Sequence, residues 1–480
     1  MTFLSFNYLL LLSLTFITYY AVNNNYKYWI IFFASIIFIL SISINALLFS
    51  LLITVLNYFG GLILYKRKKD KKVVKKIFWS LICADVGILV LFKYINFIFE
   101  NINFLFSVFQ TTSRIELSNF IIPVGISYYI FQTIGYLVRI IRGFELPERN
   151  FIKFSSFLLF FPKFLSGPVE RSNHFLPQIN NLRSFNQAKV SAGLRLILFG
   201  VFKKMVIADN LQSPVDLVYS NIHEYSGLPL ISVFFIQLIY IYCNFSGYTD
   251  IALGSAKLLG IDIIDNFNRP FLAKSITEFW KRWHISLSSW CNEFIYLPFI
   301  IKYRRFGNTV SVLGIFITFV IIGIWHGANW TFVVLGLLQA LAISYEFFTK
   351  RNRLKLATFA PAWLVNTISR ILVYIFMSFS MIFFFSNSIS DSGYFISHVF
   401  ENIELKFPLN FSSLNKLNFT FGLFSFFILL GIELVNEIGY NLEPFFLKQS
   451  RWIRWSTYYF IIILIFLFNS EVSGFVYERF

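Results

Sequence analysis

The sequence predicts an all-α integral membrane protein, a polytopic bundle of about 11 to 13 transmembrane helices with additional re-entrant or interfacial helices. Three observations predict this class. Of the 480 residues, 57% are hydrophobic and 21% aromatic, and only 14% are charged, against roughly a quarter in ordinary soluble domains. Apolar runs recur along the chain, and the positive charge is concentrated in the short segments between them. A lipid bilayer accommodates this much apolar surface, whereas a soluble core of this length does not.

The apolar runs give the predicted elements in order, because about 20 apolar residues are needed to cross the hydrocarbon layer. The first run has no basic leader and no small-residue cleavage site, and further runs follow directly, so we expect a retained helix and not a cleaved signal peptide. The runs occupy residues 4–22, 28–45, 46–65, 77–98, 118–140, 190–207, 229–246, 309–326, 330–348, 362–386, 417–436 and 457–470.

The formal net charge of +17 does not indicate nucleic-acid binding, because the basic residues follow the positive-inside pattern. The clearest case is the segment 66–76, which carries eight lysines and arginines. We expect it to be a cytoplasmic loop facing anionic lipid head groups. Three predicted spans precede it, so the N-terminus is expected outside the cytoplasm, and the bacterial cytoplasmic membrane is the expected location.

The middle of the chain departs from simple spans. The stretch 151–165 is apolar but short and predicts a re-entrant or interfacial segment, and residues 266–303 mix Trp, Arg, Lys and His with short apolar runs. Polar irregular backbone at membrane depth is tolerated only inside protein or beside water. We therefore expect three regions: N-terminal transmembrane helices (1–117), a catalytic core around a cavity (118–348) and C-terminal transmembrane helices (349–480).

His326 is the first candidate for chemistry, because it ends a long apolar run and another begins at Trp330. A buried imidazole stays neutral near pH 7 and can accept a proton. The other interpretation is a structural histidine at a helix end. Trp325 precedes this residue, and Asn329 follows closely enough to orient a substrate oxygen.

His284 is the second candidate, within a Trp-rich cationic segment that also holds Lys281 and Arg282. On a continuous helix, Glu278 would pair with Arg282, and Trp280 would share a face with His284. The segment is either an interfacial anchor or a second polar group of the cavity, with the two cations near an anionic donor.

Other polar residues interrupt apolar sequence, notably Asp250 and Asn268. A carboxylate near the membrane needs a partner, so we expect Asp250 to pair structurally, for example with an arginine. The three cysteines lie far apart without metal-ligand spacing, which predicts no metal site. P-loop, GxSxG and HExxH motifs are absent from the sequence, so an ATP-driven pump lacks support.

Seven motifs in a fixed order carry a resemblance to a known family. They are Pro123-Val-Gly-Ile-Ser-Tyr-Tyr-Ile-Phe-Gln, Phe161-Pro-Lys-Phe-Leu-Ser-Gly-Pro-Val-Glu-Arg, Phe202-Lys-Lys-Met-Val-Ile-Ala-Asp-Asn, Phe245-Ser-Gly-Tyr-Thr-Asp, Asn266-Phe-Asn-Arg-Pro, Phe279-Trp-Lys-Arg-Trp-His and Gly323-Ile-Trp-His-Gly-Ala-Asn-Trp. Together they resemble the membrane-bound O-acyltransferase (MBOAT) family over about residues 118–345. The bacterial branch of AlgI-like alginate O-acetylation proteins is more similar than the DltB-like D-alanylation branch.

The resemblance implies a helical fold around a tunnel, with His326 as the catalytic histidine and His284 at the second characteristic polar position. It also implies a thioester donor, acetyl-CoA or an acyl carrier, with no bound cofactor. The acceptor would be a polysaccharide hydroxyl, reached directly or through an extracytoplasmic esterase-like partner. D-alanyl transfer to teichoic acid, a glycan exporter and a non-catalytic scaffold remain the alternatives.

Overall fold

The structure is a computed structural model that describes residues 1–111, 114–118, 125–165, 167–182, 184–401, 403 and 416–468. Residues 119–124, at the start of the span predicted at 118–140, and residues 469–470 of the last predicted span lie outside the described residues. Within the described ranges the chain is helical and forms no strand. It divides into two compact units, residues 1–197 with 251–264, and residues 198–250 with 265–480.

The first unit consists of the N-terminal helices and a set of short helices after them. Helices α10 and α12 contribute residues to both units. The helices are α1 (Phe6–Ala21), α2 (Lys27–Ile42), α3 (Ile44–Lys66), α4 (Lys71–Leu89), α5 (Ile95–Val108), α6 (Ile126–Ile141), α7 (Phe151–Leu159), α8 (Phe161–Phe164), α9 (Ser172–Asn180) and α10 (Gln187–Phe202).

Helix α3 is the centre of this unit and packs against α2, α4, α6 and α7. Its contact with α6 is close, because a Cβ on Gly61 would lie 2.9 Å from the ring of Tyr136. Between α3, α4 and α6, the fully buried carboxylate of Asp85 accepts hydrogen bonds from Asn57 and Thr133, both at 2.9 Å. These bonds satisfy a carboxylate that would otherwise be costly inside the bundle.

The second unit contains the remaining helices, and its long members alternate with short ones. A π-helix (Lys203–Ala208) joins α10 to the next helix. The helices are α11 (Asp209–Ser220), α12 (Leu228–Leu258), α13 (Ile276–Arg282), α14 (Ile285–Cys291), α15 (Leu297–Lys302), α16 (Asn308–His326), α17 (Trp330–Leu356), α18 (Ala362–Phe385), α19 (Ile389–His398), α20 (Lys416–Glu437), α21 (Leu442–Leu447) and α22 (Arg451–Leu467).

Helices α16 and α17 form a close hairpin that positions the candidate site. A Cβ on Gly323 would lie 2.2 Å from the backbone oxygen of Phe332, and one on Gly336 would lie 2.4 Å from that of Phe319. Side chains are therefore excluded at both positions, and the two backbones approach as small-residue interfaces in membranes allow. Asn329 begins α17, its side-chain oxygen accepting a hydrogen bond from the Thr331 N–H at 3.0 Å.

Eight helices of the described chain are long and apolar enough to cross a membrane, which confirms the polytopic helical class. The count is lower than the predicted 11 to 13 because several apolar runs fold into shorter helices. Helices α1 and α6 have 16 residues each, and α22 has 17. The run at 190–207 is divided between α10 and the π-helix.

Candidate active site

The site lies within the second unit, at the end of the α16–α17 hairpin. His326 is the last residue of α16 and is 6% exposed. Its ring centroid is 4.9 Å from that of Trp325 and 5.6 Å from that of Phe384 on α18. The imidazole is therefore enclosed by aromatic rings and does not face lipid.

His284 is placed by a sharp turn. Helix α13 ends at Arg282, Trp283 is extended, and His284 has a φ of 44°, in the left-handed region that non-glycine residues rarely adopt. The backbone N–H of Ile285 donates to the Asn266 oxygen at 2.9 Å, which fixes the turn. The expected helical pairing of Trp280 with His284 is therefore wrong, because the helix ends between them, whereas Glu278 does pair with Arg282 at 2.8 Å.

The His284 ring is fully buried, which of the two alternatives for this side chain favours a polar group inside the protein over an interfacial anchor. It contacts Phe245 at 4.8 Å and Trp325 at 5.7 Å between ring centroids. Among the described residues, neither of its nitrogens has a hydrogen-bond partner. Burial, together with the nearby imidazole of His326, lowers the pKa of His284 well below its ordinary value, so the ring is neutral at pH 7.

Trp325 thus contacts both imidazoles, and the structure brings together the two histidines that the sequence singled out and one of the cavity candidates. Buried polar atoms without partners are uncommon in folded proteins, and each one needs an explanation. Since His284 has two such nitrogens, a substrate group is a suitable partner for it.

A small cavity adjoins His326. Its volume is about 20 Å³, which is room for one water molecule. The lining is almost entirely apolar and includes Trp280, Trp283, Met377 and Met381. The pocket beside His326 is therefore narrow and apolar in the described structure.

Gln339 gives the cavity a polar group that the sequence reasoning missed. Its side-chain oxygen accepts a hydrogen bond from the Trp280 indole at 3.0 Å, and its nitrogen donates to Ser380 at 2.9 Å. These bonds hold one tryptophan wall of the cavity in place. An amide within the otherwise apolar start of α17 was the available signal.

Asn244 was also missed. It is fully buried, and neither atom of its amide has a hydrogen-bond partner in the described part of the chain. On α12 it lies three residues after Ile241, which lines the cavity, and next to Phe245, which contacts His284. Since residues three and four apart share a helix face, Asn244 lies on the side of α12 that carries both.

The remaining predicted site residues lie outside this aromatic enclosure. The Asn329 amide is used in capping and in a bond to the Asn387 oxygen at 2.8 Å. Lys281 is exposed, as is Asn268, whose backbone N–H donates to the Arg282 oxygen at 2.9 Å.

Asp250 has the structural partner that was expected, but the partner is Lys203 at 2.6 Å and not an arginine. Arg282 joins Glu437 of α20 at 2.7 Å, and Arg269 reaches the same carboxylate at 3.2 Å. Tyr242 donates to Glu433 at 2.5 Å. The two arginine contacts tie α20 to the loop and short helix that precede His284, and the Tyr242 contact ties α20 to α12.

The described residues contain no group of three or more His, Cys, Asp or Glu side chains that could hold a metal ion.

Comparison with known proteins gives one family match. The model of the membrane-bound O-acyltransferase family matches residues 28–388, which extends beyond the motifs at 118–345 in both directions. The chain is 32% identical to a probable alginate O-acetylase AlgI of Pseudomonas putida, over 68% of this chain and 67% of that protein.

Two further relatives differ in their acyl group or acceptor. A peptidoglycan O-acetyltransferase of Helicobacter pylori is 29% identical over 65% of this chain and 63% of its own length. A teichoic acid D-alanyltransferase of Bacillus subtilis is 28% identical over 49% of this chain and 62% of its own length. The chain thus spans between 62% and 67% of the length of these relatives.

Proposed function

Because the chain belongs to the membrane-bound O-acyltransferase family, we propose that it moves an acyl group from a thioester donor toward a hydroxyl of a cell-surface polysaccharide. Family membership makes it an O-acyltransferase, which removes the exporter and the non-catalytic scaffold from the alternatives. Acetyl is the acyl group we propose, since relatives described as alginate O-acetylase and peptidoglycan O-acetyltransferase match more of the chain than the D-alanyltransferase does.

The observation that carries the mechanism is that the buried imidazoles of His284 and His326 both contact the Trp325 ring, and that His326 also lines a cavity. A sugar hydroxyl is almost fully protonated at neutral pH and is a weak nucleophile. His326 removes its proton as the oxygen attacks the thioester carbonyl, a contribution of roughly 10²–10⁴-fold in rate. A C–O bond forms, the C–S bond then breaks, and the protonated His326 returns the proton to the leaving thiolate.

The oxyanion of the tetrahedral intermediate needs a hydrogen-bond donor. His284 and Asn244 are suitable, because their buried polar atoms have no partners among the described residues and a donor aimed at a developing charge must be free beforehand. Asn329, the sequence-based candidate, is less suitable because its amide nitrogen already donates a hydrogen bond to the Asn387 backbone oxygen at 2.8 Å.

Substrates need more space than the structure offers beside His326. A cavity of about 20 Å³ holds neither a thioester nor a sugar, so the lining must open during turnover. Met377 and Met381 are the flexible members of the lining, and methionine adapts its shape readily. We propose that these two side chains move aside when substrates enter.

The proposed setting is the bacterial cytoplasmic membrane, with the N-terminus outside and the donor on the side of the basic loop 66–76. Acetyl-CoA or an acyl carrier would supply the thioester from the cytoplasm. The acceptor is a surface polysaccharide, reached directly or through an extracytoplasmic esterase-like partner. Transfer of D-alanyl to teichoic acid is the second candidate, and its support is the Bacillus subtilis relative.

The test is mass spectrometry of surface polysaccharide from cells that carry the protein or the His326→Gln variant. We expect the mass increment of one acetyl group per modified sugar with the native protein and its loss with the variant, at equal protein abundance. His223→Gln is the matched control, because His223 is 63% exposed in its side chain and its ring contacts Asp391 and Tyr394, away from the proposed site. Unchanged acylation in the His326 variant would refute the mechanism, and an alanyl increment would select the second candidate.

A further inference from the structure

The first unit carries a groove that has no part in the proposed chemistry. It is formed where α3 ends, where α4 begins and where α6 ends, and its volume is about 670 Å³, within the range of small-molecule sites in proteins. Four cationic side chains line it, together with three aromatic ones. They are Lys68, Lys71, Lys75, Arg142, Tyr65, Phe78 and Trp79.

The charge of the groove is strongly positive. Its single carboxylate in the lining, Glu145, accepts a hydrogen bond from Ser172 at 2.6 Å and lies 3.6 Å from Arg139. Lys71, Lys75 and Arg142 form no ion pair within the described ranges. Cations that are close together and unpaired repel one another, so an anion in the groove would relieve an unfavourable arrangement.

Apolar side chains also line the groove. Leu64, Val74, Phe78 and Ile140 belong to its lining, and Trp79 is 53% exposed beside them. A free phosphate ion would gain nothing from these residues. A molecule with both an anionic group and hydrocarbon would use the two kinds of surface at once.

The location of the groove along the helices indicates which molecule with an anionic group and hydrocarbon it binds. The candidate spans Ile44–Lys66 and Lys71–Val108 meet at the segment 67–70, so the cations lie where hydrocarbon gives way to head groups. Basic side chains at this depth bind anionic lipid, and tryptophan prefers the same interface. We propose that the groove binds one anionic phospholipid, its phosphate among the four cations and its acyl chains along the apolar side chains.

The same segment supplies a matched control. Lys69, Lys72 and Lys76 are exposed neighbours that do not line the groove. The variant K68Q/K71Q/K75Q removes three lining charges, and the variant K69Q/K72Q/K76Q removes three charges nearby. General attraction to an anionic surface should fall equally in the two triple variants. Lipid binding in a specific site should fall only in K68Q/K71Q/K75Q.

The experiment measures phosphatidylglycerol retained by the purified full-length protein, by native mass spectrometry after release from detergent micelles that also contain phosphatidylcholine. We expect one phosphatidylglycerol adduct on the native protein and on the K69Q/K72Q/K76Q variant. The lining variant should bind it about tenfold or more weakly, since each basic residue near an anionic lipid contributes measurably to binding. The double variant K71Q/R142Q is the second test if the triple variant is not monodisperse.

Equal retention by both triple variants would overturn the proposal, because it would assign the binding to surface charge alone. Displacement of the adduct by millimolar inorganic phosphate or glycerol phosphate would also overturn it, since the site would then recognise the phosphate without the lipid. Retention of phosphatidylcholine equal to that of phosphatidylglycerol would do the same.

Discussion

Two histidines differ in how the backbone presents them to the same tryptophan. His326 ends a regular helix, so its direction follows from the axis of α16. His284 sits at a φ of 44°, a strained conformation that costs about 1–3 kcal/mol in general and persists where the surroundings impose it. Such strain concentrates at functional sites, which agrees with the role proposed for this imidazole.

Replacing the Asn244 amide should affect stability and activity in opposite directions. A buried amide without partners costs free energy, about 1–3 kcal/mol, so Asn244→Leu should leave the melting temperature unchanged or raise it. If the amide serves the reaction, acylation should nevertheless fall by at least about tenfold. Thermal melting of the solubilised protein and acylation by mass spectrometry would be measured on the same variant.

Asn57→Leu is the control for Asn244, because the Asn57 amide donates to Asp85 at 2.9 Å and its loss should lower the melting temperature. A destabilised Asn244→Leu protein would instead assign Asn244 a structural role. Full activity in that variant would remove it from the proposed site.

The α16–α17 hairpin is the element on which the site depends. Glycine at positions 323 and 336 lets the helices approach until backbone atoms touch, and this contact sets the position of His326 relative to the cavity. The fit of a close helix pair is lost when even one methyl group is added between the backbones.

We predict that Gly336→Ala lowers both thermal stability and acylation, with a loss of about 1–3 kcal/mol typical of overpacking. The new Cβ would lie 2.4 Å from the Phe319 backbone oxygen, which cannot move without displacing α16. Gly431→Ala on α20 is the matched control, since a Cβ there meets nothing within 4 Å. Equal melting temperatures for the two variants in detergent would contradict the role of the hairpin.

The orientation of the whole protein decides which substrate reaches the site from which side. The basic segment 66–76 is expected in the cytoplasm by the positive-inside rule. In the proposed reaction the thioester donor is cytoplasmic and the polysaccharide is external, so that reaction requires access from both faces. An inverted protein would have the donor on the wrong side of this arrangement.

Cysteine labelling tests the orientation. Cys83 is exposed, whereas Cys243 and Cys291 are buried, so the labelling is done in a Cys83→Ser variant. In that variant, Thr111→Cys should react with a membrane-impermeant maleimide on intact cells. Lys69→Cys should react only after the cells are permeabilised, since both positions are exposed but are predicted on opposite sides. The reverse labelling pattern would place the N-terminus inside and reject the proposed direction of transfer.

The sequence predicted the helical membrane class and proposed the two histidines as candidates, because both depend on short contiguous segments of the chain. Long apolar runs form helices in lipid whatever their neighbours are, and His326 and His284 lie within contiguous motifs. Span boundaries were less well predicted, because hydropathy does not show that a run such as 190–207 contains a π-helix.

By itself, the sequence determined that the chain is a polytopic helical membrane protein and which short segments carry the imidazoles. Only the tertiary structure decided that His284 is buried against Trp325, that Met377 and Met381 of α18 line the cavity, and that Lys203 is the partner of Asp250. The physical reason is that hydropathy reports the free energy of placing one segment in lipid. Which side chains meet depends on backbone turns and on close contacts between helices that are far apart in the chain.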